Sequence, residues 1–376
     1  MLLRSKGNLT ARPEMATPIS LGSIDFGYVQ AAHRRVQDMR TRTAISVDPP
    51  TLGDLEQALG EPVQKRELLG ENWRNRVYRI DLAGGTAVLA KQVVMATGEM
   101  LQYQFDQLQA LSNIEIRGLR VPKPVALLRR QRVLLMEFAR GQPIPALVWN
   151  RRSTSDLLVA CKLAGKILAR LQLGWKQQIS ALPVEALARD FAAAPWQLSS
   201  NEQKTLRSAF SCLGSARIFV GQVYYDYKAA NLLFDNGELS LVDPPDRERK
   251  GAHLWDYSCF RSSMRHLLWR FRLRRPLDRR AALIRQSLMA FEHSYLANLS
   301  EQLPEPALFA PVARIFELQR TAVAMTMQQG KVDVALQERA TTRGGDLGGS
   351  LANRMTLPLL RMEKRWLFRQ LARELP

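Results

Sequence analysis

Apolar positions change period along the chain, and the changes divide it. From Val63 to Val94, β-rich runs alternate with turn signals: Arg76–Leu82, then Ala83-Gly84-Gly85-Thr86, then Ala87–Val93. Two such runs joined by a Gly-Gly loop predict a hairpin. Leu101–Leu111 reads as a helix, Val121–Pro124 as an extended exit, and Pro124–Leu128 and Arg132–Met136 as two more strands. A small antiparallel sheet with one helix is therefore expected here. Beyond Gly141 the period becomes helical, most clearly over Asp156–Leu173, where Leu157, Cys161, Ala164, Ile167, Leu168 and Leu171 share a broad apolar face. A β segment interrupts at Ile218–Asp243, and helices return from about Asp256 to the end.

The flanks are less regular. Thr51–Leu59 predicts a helix capped by Thr51, with Leu52, Leu55 and Leu59 on one face. Residues 1–50 mix proline, glycine and arginine, and are expected to form a poorly packed, flexible extension with one short helix around Tyr28–Met39. Gly330, Gly344, Gly345, Gly348 and Gly349 predict a flexible loop near residues 329–350. Leu360, Leu367 and Leu371 recur at helical spacing near the C-terminus and predict a helix docked on the core.

At 376 residues the chain exceeds one minimal core, and its 46% apolar and 24% charged composition excludes disorder or a coiled coil as a description of the whole. The expected division is an extension (1–50), a small lobe (51–140) and a large helical lobe (141–376). Cys161, Cys212 and Cys259 are scattered and odd in number, which fits a reducing cytosol rather than a disulfide framework. No uninterrupted apolar run reaches the roughly 18–20 residues that span a bilayer. The net charge of +19 makes an anion an expected partner.

Chemistry concentrates in Val223–Asp243. Asp226 and Asn231 precede an apolar strand, an Asn236-Gly237 turn and a second apolar strand that ends in Asp243. Asp226 is suited to accept a proton from a hydroxyl, and Asn231 and Asp243 offer hard oxygens suited to Mg²⁺. Taken singly, Asp226 and Asn231 are more readily turn caps and Asp243 more readily the start of a loop.

Taken together, the spacing resembles the catalytic hairpin of the protein-kinase-like superfamily, whose signature places an Asp, an Asn five residues later and a second Asp about a dozen beyond. Tyr225-Asp226 through Asn231, and Leu241-Val242-Asp243, occupy those places. The likeness is closer to the aminoglycoside phosphotransferase and choline kinase branch, with some similarity to bacterial lipopolysaccharide kinases. It implies a two-lobed α+β fold, a small antiparallel-sheet lobe with one helix and a larger, mainly helical lobe. It also implies ATP and Mg²⁺ as cofactors.

By the same resemblance, Lys91 holds the nucleotide's α- and β-phosphates, and Gly70 and Asn75 belong to the nucleotide loop over Gly70–Ile80. Main-chain groups of Glu137 to Ala139 would meet adenine at the hinge. Asn231 and Asp243 are the metal ligands, Asp226 the catalytic base, Lys228 a γ-phosphate contact and Asp256 the buttress of the catalytic loop. Tyr224 replaces the family's histidine, and Pro244-Pro245 follows the metal aspartate. The glutamate that pairs with the lysine has no clear counterpart, since Gln104, Asp106 and Glu99 all compete for the place.

Twelve residues separate Asp243 from Asp256, and no Ala-Pro-Glu follows, which leaves no room for a peptide platform. A small-molecule or saccharide acceptor with a free hydroxyl is expected, such as a sugar, a glycolipid of the lipopolysaccharide-core kind or an aminoglycoside-like molecule. Between Arg261 and Arg285 nine arginines meet one acid, Asp278, with Leu267, Leu268, Trp269, Phe271 and Leu273 interleaved. This segment suggests peripheral contact with an anionic membrane at its cytoplasmic face, with nucleic acid the disfavoured anion. The competing reading is a catalytically silent kinase-like scaffold whose basic surface binds lipid, nucleic acid or a protein.

Overall fold

A computed structural model gives the fold and describes residues 27–41, 48–71, 75–94, 97–150, 154–299, 302–341 and 348–375. The first element, α1 (Tyr28–Thr41), lies in the stretch expected to be poorly packed, yet it is packed. Tyr28, Val29, Ala32 and Val36 recur on one helical face and are buried. Tyr28 stacks on Trp255 with ring centroids 3.9 Å apart, which ties α1 to the large lobe. Residues 1–26 and 42–47 lie outside the described residues.

The small lobe begins with α2 (Leu52–Leu59), started by a reciprocal cap between Thr51 and Asp54. Strands β1 (Val63–Glu71), β2 (Asn75–Leu82) and β3 (Ala87–Val93) follow, then α3 (Gly98–Ser112), β4 (Leu119–Arg120), β5 (Pro124–Leu128) and β6 (Val133–Glu137). Five of these strands form an antiparallel sheet in the order β1-β2-β3-β6-β5, and β4 joins a sheet of the large lobe. Strand alternation covers both faces of that sheet. Val133 and Leu135 join Leu55 and Ile80 on the α2 side, while Leu134 and Met136 join Leu101 and Leu108 on the α3 side. Lys91 stands two residues before Val93 and so shares the α3 side, which is what turns it towards the interlobe cleft.

The large lobe contains β7 (Gln142–Pro143), α4 (Ile144–Trp149), α5 (Thr154–Gly174), β8 (Gln177–Ala181), α6 (Val184–Ala193), α7 (Ser200–Leu213) and β9 (Arg217–Gln222). It continues with β10 (Leu232–Asp235), β11 (Glu238–Leu241), β12 (Lys250–Ala252), α8 (Leu254–Arg274), α9 (Arg280–Leu299), α10 (Phe309–Thr341) and α11 (Gly348–Glu374). Helix α5 lies along α9, and α10 contacts α1, α8 and α11. Strands β10 and β11 pair Asp235 with Glu238 across a two-residue turn. Asn236 and Gly237 there have φ of 48° and 83°, the left-handed conformation such a turn needs.

Two expectations are corrected. The flexible loop near 329–350 is helical over most of its length: α10 runs through Gly330 to Thr341 and α11 begins at Gly348, with 342–347 outside the described residues. Gly330 is a contact glycine, because a Cβ there would lie 2.4 Å from the methyls of Val36 on α1. Second, Arg261 and Arg265 do not belong to a basic outer face. Both are buried among Glu292, Glu317 and Glu363, which come from later helices. The local count of nine arginines against one acid could not register acids that far along the chain. The C-terminal helix docks as expected, with Leu360, Leu367, Phe368 and Leu371 buried.

The buried cluster joins α8, α10 and α11. Glu317 Oε1 accepts from Arg265 at 2.9 Å and forms an ion pair with Arg261 at 2.6 Å, and its Oε2 accepts from Arg314 at 2.8 Å. Arg265 also reaches Glu363 at 2.8 Å, and His266 bonds the other Glu363 oxygen. Burial opposes ionisation of Glu317, but Arg261, Arg265 and Arg314 outweigh it and bring the carboxyl from an ordinary 4.5 down to about 2.

Removing one partner strands buried charge, so Glu317→Gln should cost about 3–5 kcal/mol at pH 7 in urea denaturation. A depressed carboxylate contributes fully above its unfolded pKa and loses that contribution as pH falls through its folded one. The gap between wild type and variant should therefore close between pH 4.5 and about 2. An undiminished gap at the acid end would contradict this assignment.

Candidate active site

Strand β9 delivers the chain to Tyr224-Tyr225-Asp226 with an unusual backbone. Tyr225 has φ of 74°, a left-handed conformation that costs a bulky residue roughly 1–2 kcal/mol. The first turn of α8 holds it there. Asp256 accepts the Tyr224 amide at 2.6 Å and the Tyr225 amide at 2.7 Å, and the Trp255 indole donates to the Tyr225 carbonyl at 2.8 Å. Burial pushes the Asp256 carboxyl up to about 7, against the pull of the two amides. Tyr224, in the place of the family's histidine, is buried and braces the loop by packing edge-on against Tyr227, whose hydroxyl donates to the Ala164 carbonyl at 2.8 Å.

Asp226 therefore projects at the end of a rigid turn. Its carboxylate accepts from Lys228 Nζ at 2.5 Å and from the Asn231 amide at 3.3 Å, and the same amide donates to the Asp226 carbonyl at 3.0 Å. Burial disfavours its charge, but Lys228, with Arg320 and Asn231 behind it, holds the carboxyl below the ordinary range. Asn231 ends the single 3₁₀ turn Ala229–Asn231, and its own carbonyl accepts the Val242 amide at 3.2 Å, next to Asp243. Because its side-chain nitrogen is spent on Asp226, the carboxamide oxygen is the atom left to meet a cation.

Asp243 and the small lobe meet at Lys91, whose Nζ lies 2.5 Å from Asp243 Oδ1. Gln104 is the α3 residue turned into this corner. It is buried, lines the cleft with Lys91 and donates to the Pro244 carbonyl at 3.4 Å. Glu99 is exposed, and Asp106, also exposed, accepts from Gln102. The lysine therefore leans on the metal-side aspartate rather than on a helix glutamate. Together Asn75, Lys91, Gln104, Asp226 and Asp243 line a cleft between the lobes.

Other expected nucleotide positions are distributed around it. Gly70 pairs across β1 with Val77, two residues beyond Asn75, while residues 72–74 of the same loop lie outside the described residues. At the hinge, the Glu137 amide donates to the Lys123 carbonyl and the Phe138 amide to the Ala87 carbonyl. Glu137 thus cannot offer its N–H to a base, and among the described residues Ala139 is the hinge position whose N–H has no main-chain partner.

The donor set suits a hard divalent cation. Asp243 and Asn231 present oxygens, and the Lys91 ammonium on Asp243 shows that this carboxylate draws a positive charge. Among the described residues no three His, Cys, Asp or Glu side chains form a metal cluster, so a bound ion would complete its shell from phosphate and water.

The sequence pattern did not single out Tyr225 and Trp255, which form the aromatic wall beside Asp226, or Arg35 and Arg320, which line the same cleft. The two tyrosines before the aspartate were a local cue. Arg35 and Arg320 sit on helices far apart in the chain and carried none.

Three comparisons bear on this geometry. The model of the phosphotransferase enzyme family matches residues 65–246, just under half of the chain. Among solved structures the fold resembles an amicoumacin kinase in complex with AMP-PNP, Ca²⁺ and Ami at 15% identity, covering 89% of this chain and 94% of that one with a TM-score of 0.50. It also resembles a choline/ethanolamine kinase family protein from Mesorhizobium loti at 12% identity, 83% and 92% coverage and a TM-score of 0.50. A thermostable mutant of aminoglycoside phosphotransferase APH(4)-Ia, in a ternary complex with ADP and hygromycin B, gives 12% identity, 86% and 99% coverage and a TM-score of 0.51. No curated protein matches the chain. These likenesses establish the two-lobed kinase-like fold.

Proposed function

Taking residues 65–246 as a phosphotransferase core, we propose that the cleft transfers the γ-phosphoryl group of ATP to a hydroxyl of a non-protein acceptor, a sugar or a saccharide carried on a glycolipid. The Lys91–Asp243 pair carries this reading. It joins the small-lobe sheet to the end of the hairpin that follows Asp226 and Asn231, so one cleft is lined by a phosphate-binding ammonium, a metal-side carboxylate and a base, with Asn231 hydrogen-bonded to Asp226 behind them.

Each side chain has a task in the transfer. Lys91 meets the α- and β-phosphates, Gly70 and Asn75 flank the nucleotide, and the Ala139 N–H faces adenine. Asn231 and Asp243 would hold Mg²⁺, which when bound neutralises phosphate charge. Asp226 orients the acceptor hydroxyl and takes its proton as the oxygen bonds to γ-phosphorus and the bond from phosphorus to the ADP oxygen breaks. Lys228, now on Asp226, turns to the γ-phosphate. The transition state is loose, so positioning and charge neutralisation supply most of the acceleration.

The chain after Asp243 supports a non-peptide acceptor. Lys250–Ala252 is drawn into the β8-β9-β12 sheet beside β9, so the segment that lays out a peptide platform in protein kinases is short and fixed. No helix among the described residues is long and apolar enough to cross a membrane. The end of α8 and the turn after it nevertheless expose Arg270, Arg272, Arg274, Arg275 and Arg279 beside Leu273 and Leu277, the latter 95% exposed. That combination supports peripheral contact with an anionic bilayer.

Wild type incubated with γ-labelled ATP, Mg²⁺ and a panel of saccharides, including dephosphorylated lipopolysaccharide core, should transfer label. Asp226→Ala should lose at least about a hundredfold in rate, the scale of a general base. Nucleotide binding without transfer to any acceptor would favour the silent scaffold. Vesicles of phosphatidylglycerol and phosphatidylcholine should co-sediment the protein, pure phosphatidylcholine should not, and Leu277→Asp with Arg274→Glu should abolish the difference. Equal sedimentation with both vesicles would remove the membrane assignment.

A further inference from the structure

The acceptor side of the cleft carries more positive charge than phosphoryl transfer requires. Each cleft acid already has a cation: Asp243 has Lys91 and Asp226 has Lys228, each at 2.5 Å. Asp246 faces three guanidiniums, Arg249 at 3.5 Å, Arg247 at 3.8 Å and Arg35 at 3.9 Å. Arg320 of α10 is a further cation lining the cleft: it stands behind Lys228 on Asp226 and meets the Cys259 sulfur, while its Nε–H is buried without a hydrogen-bond partner. A dry, unpaired guanidinium N–H is costly unless something else completes it.

These arginines gather on one wall. Arg249 lies 4.4 Å from the Tyr225 ring centroid and Arg35 5.4 Å from it, while Arg320 lies 6.0 Å from that of Trp255, which itself stacks on Tyr225. Tyr225 directly precedes Asp226, so the wall stands where an acceptor presenting its hydroxyl to that carboxylate must lie. A polycationic acceptor would meet like charge there. Arg35 and Arg320 come from α1 and α10, outside the segment 65–246 that the family model matches.

Resting on the phosphotransferase reading above, we infer that the acceptor bears an oxyanion, phosphate or carboxylate, near its reacting hydroxyl, and that Arg320, with Arg35 at the rim, binds it. Guanidinium forks suit both groups through paired N–H···O bonds, and the Tyr225–Trp255 face suits a sugar ring beside them. An anionic saccharide is therefore the substrate class, and amine-rich acceptors are disfavoured.

The test uses the full chain saturated with AMP-PNP and Mg²⁺ and titrated calorimetrically, at fixed ionic strength, with glucose, glucosamine, glucuronate and glucose 6-phosphate. At least one of the two anionic sugars should bind about tenfold or more tighter than glucose, and glucosamine should bind weakest, on the scale of one or more charge-assisted hydrogen bonds. The ratio of glucuronate to glucose 6-phosphate tells carboxylate from phosphate. Arg320→Gln should erase the advantage and Arg35→Gln should reduce it. The second variant decides the matter if the first does not fold. Equal binding of charged and neutral sugars, a preference for glucosamine, no binding of either anion, or an advantage that survives both substitutions would overturn the inference. Failure of AMP-PNP itself to bind would instead count against the phosphotransferase reading, so the two failures are distinguishable.

Discussion

One ion pair spans the molecule's two halves. Lys91 belongs to a strand of the small-lobe sheet and Asp243 to the end of a hairpin 152 residues later, and their 2.5 Å contact closes the cleft around the other functional groups. Strand alternation alone would aim Lys91 at α3, and a glutamate there is what kinase-like sites ordinarily supply. Gln104 cannot offset an ammonium, so the lysine takes the aspartate instead. An arriving triphosphate and cation would exchange partners with this pair: the ammonium moves to phosphate and the carboxylate to metal. In the proposed function the pair marks the place of both ligands.

The other constraint is stiffness. As the proposed base, Asp226 must point at one spot, and the turn that aims it is strained at Tyr225. Asp256 and Trp255 sustain that conformation through three hydrogen bonds to two consecutive residues, while Tyr28 and Arg249 press on the same rings. Helix α1 therefore serves the site although it precedes the kinase-like core. Its Tyr28 stacks on the indole that fixes the turn, and its Arg35 stands at the rim. Local strain at a functional turn, held by surrounding structure, is the general arrangement at such sites.

Much of this was legible in residue order. The hairpin at Arg76–Val93, the helix at Leu101–Leu111 and the Asn-Gly turn at 236–237 follow from period and turn chemistry, which act over a few residues. The grouping of Asp226, Asn231 and Asp243 at one hairpin mouth was legible for the same reason. What could not be read depends on distant partners. Arg261 and Arg265 look like surface arginines until Glu317 and Glu363 arrive from α10 and α11. Gly330 looks like a loop glycine until Val36 claims the space of its missing Cβ. Arg320 looks like one more polar residue on a long helix until α10 packs across α8 and brings it beside Trp255.

The central claim is that Lys91 and Asp243 jointly receive a metal-bound triphosphate. Calorimetric titration of AMP-PNP, with and without Mg²⁺, into wild type and Asp243→Asn tests it most directly. The expected result is binding at least about tenfold tighter with Mg²⁺ in the wild type, the energy of roughly one lost ionic contact. In Asp243→Asn that dependence on the metal should disappear. Equal affinity with and without Mg²⁺ in the wild type, or the same metal dependence in Asp243→Asn, would contradict it.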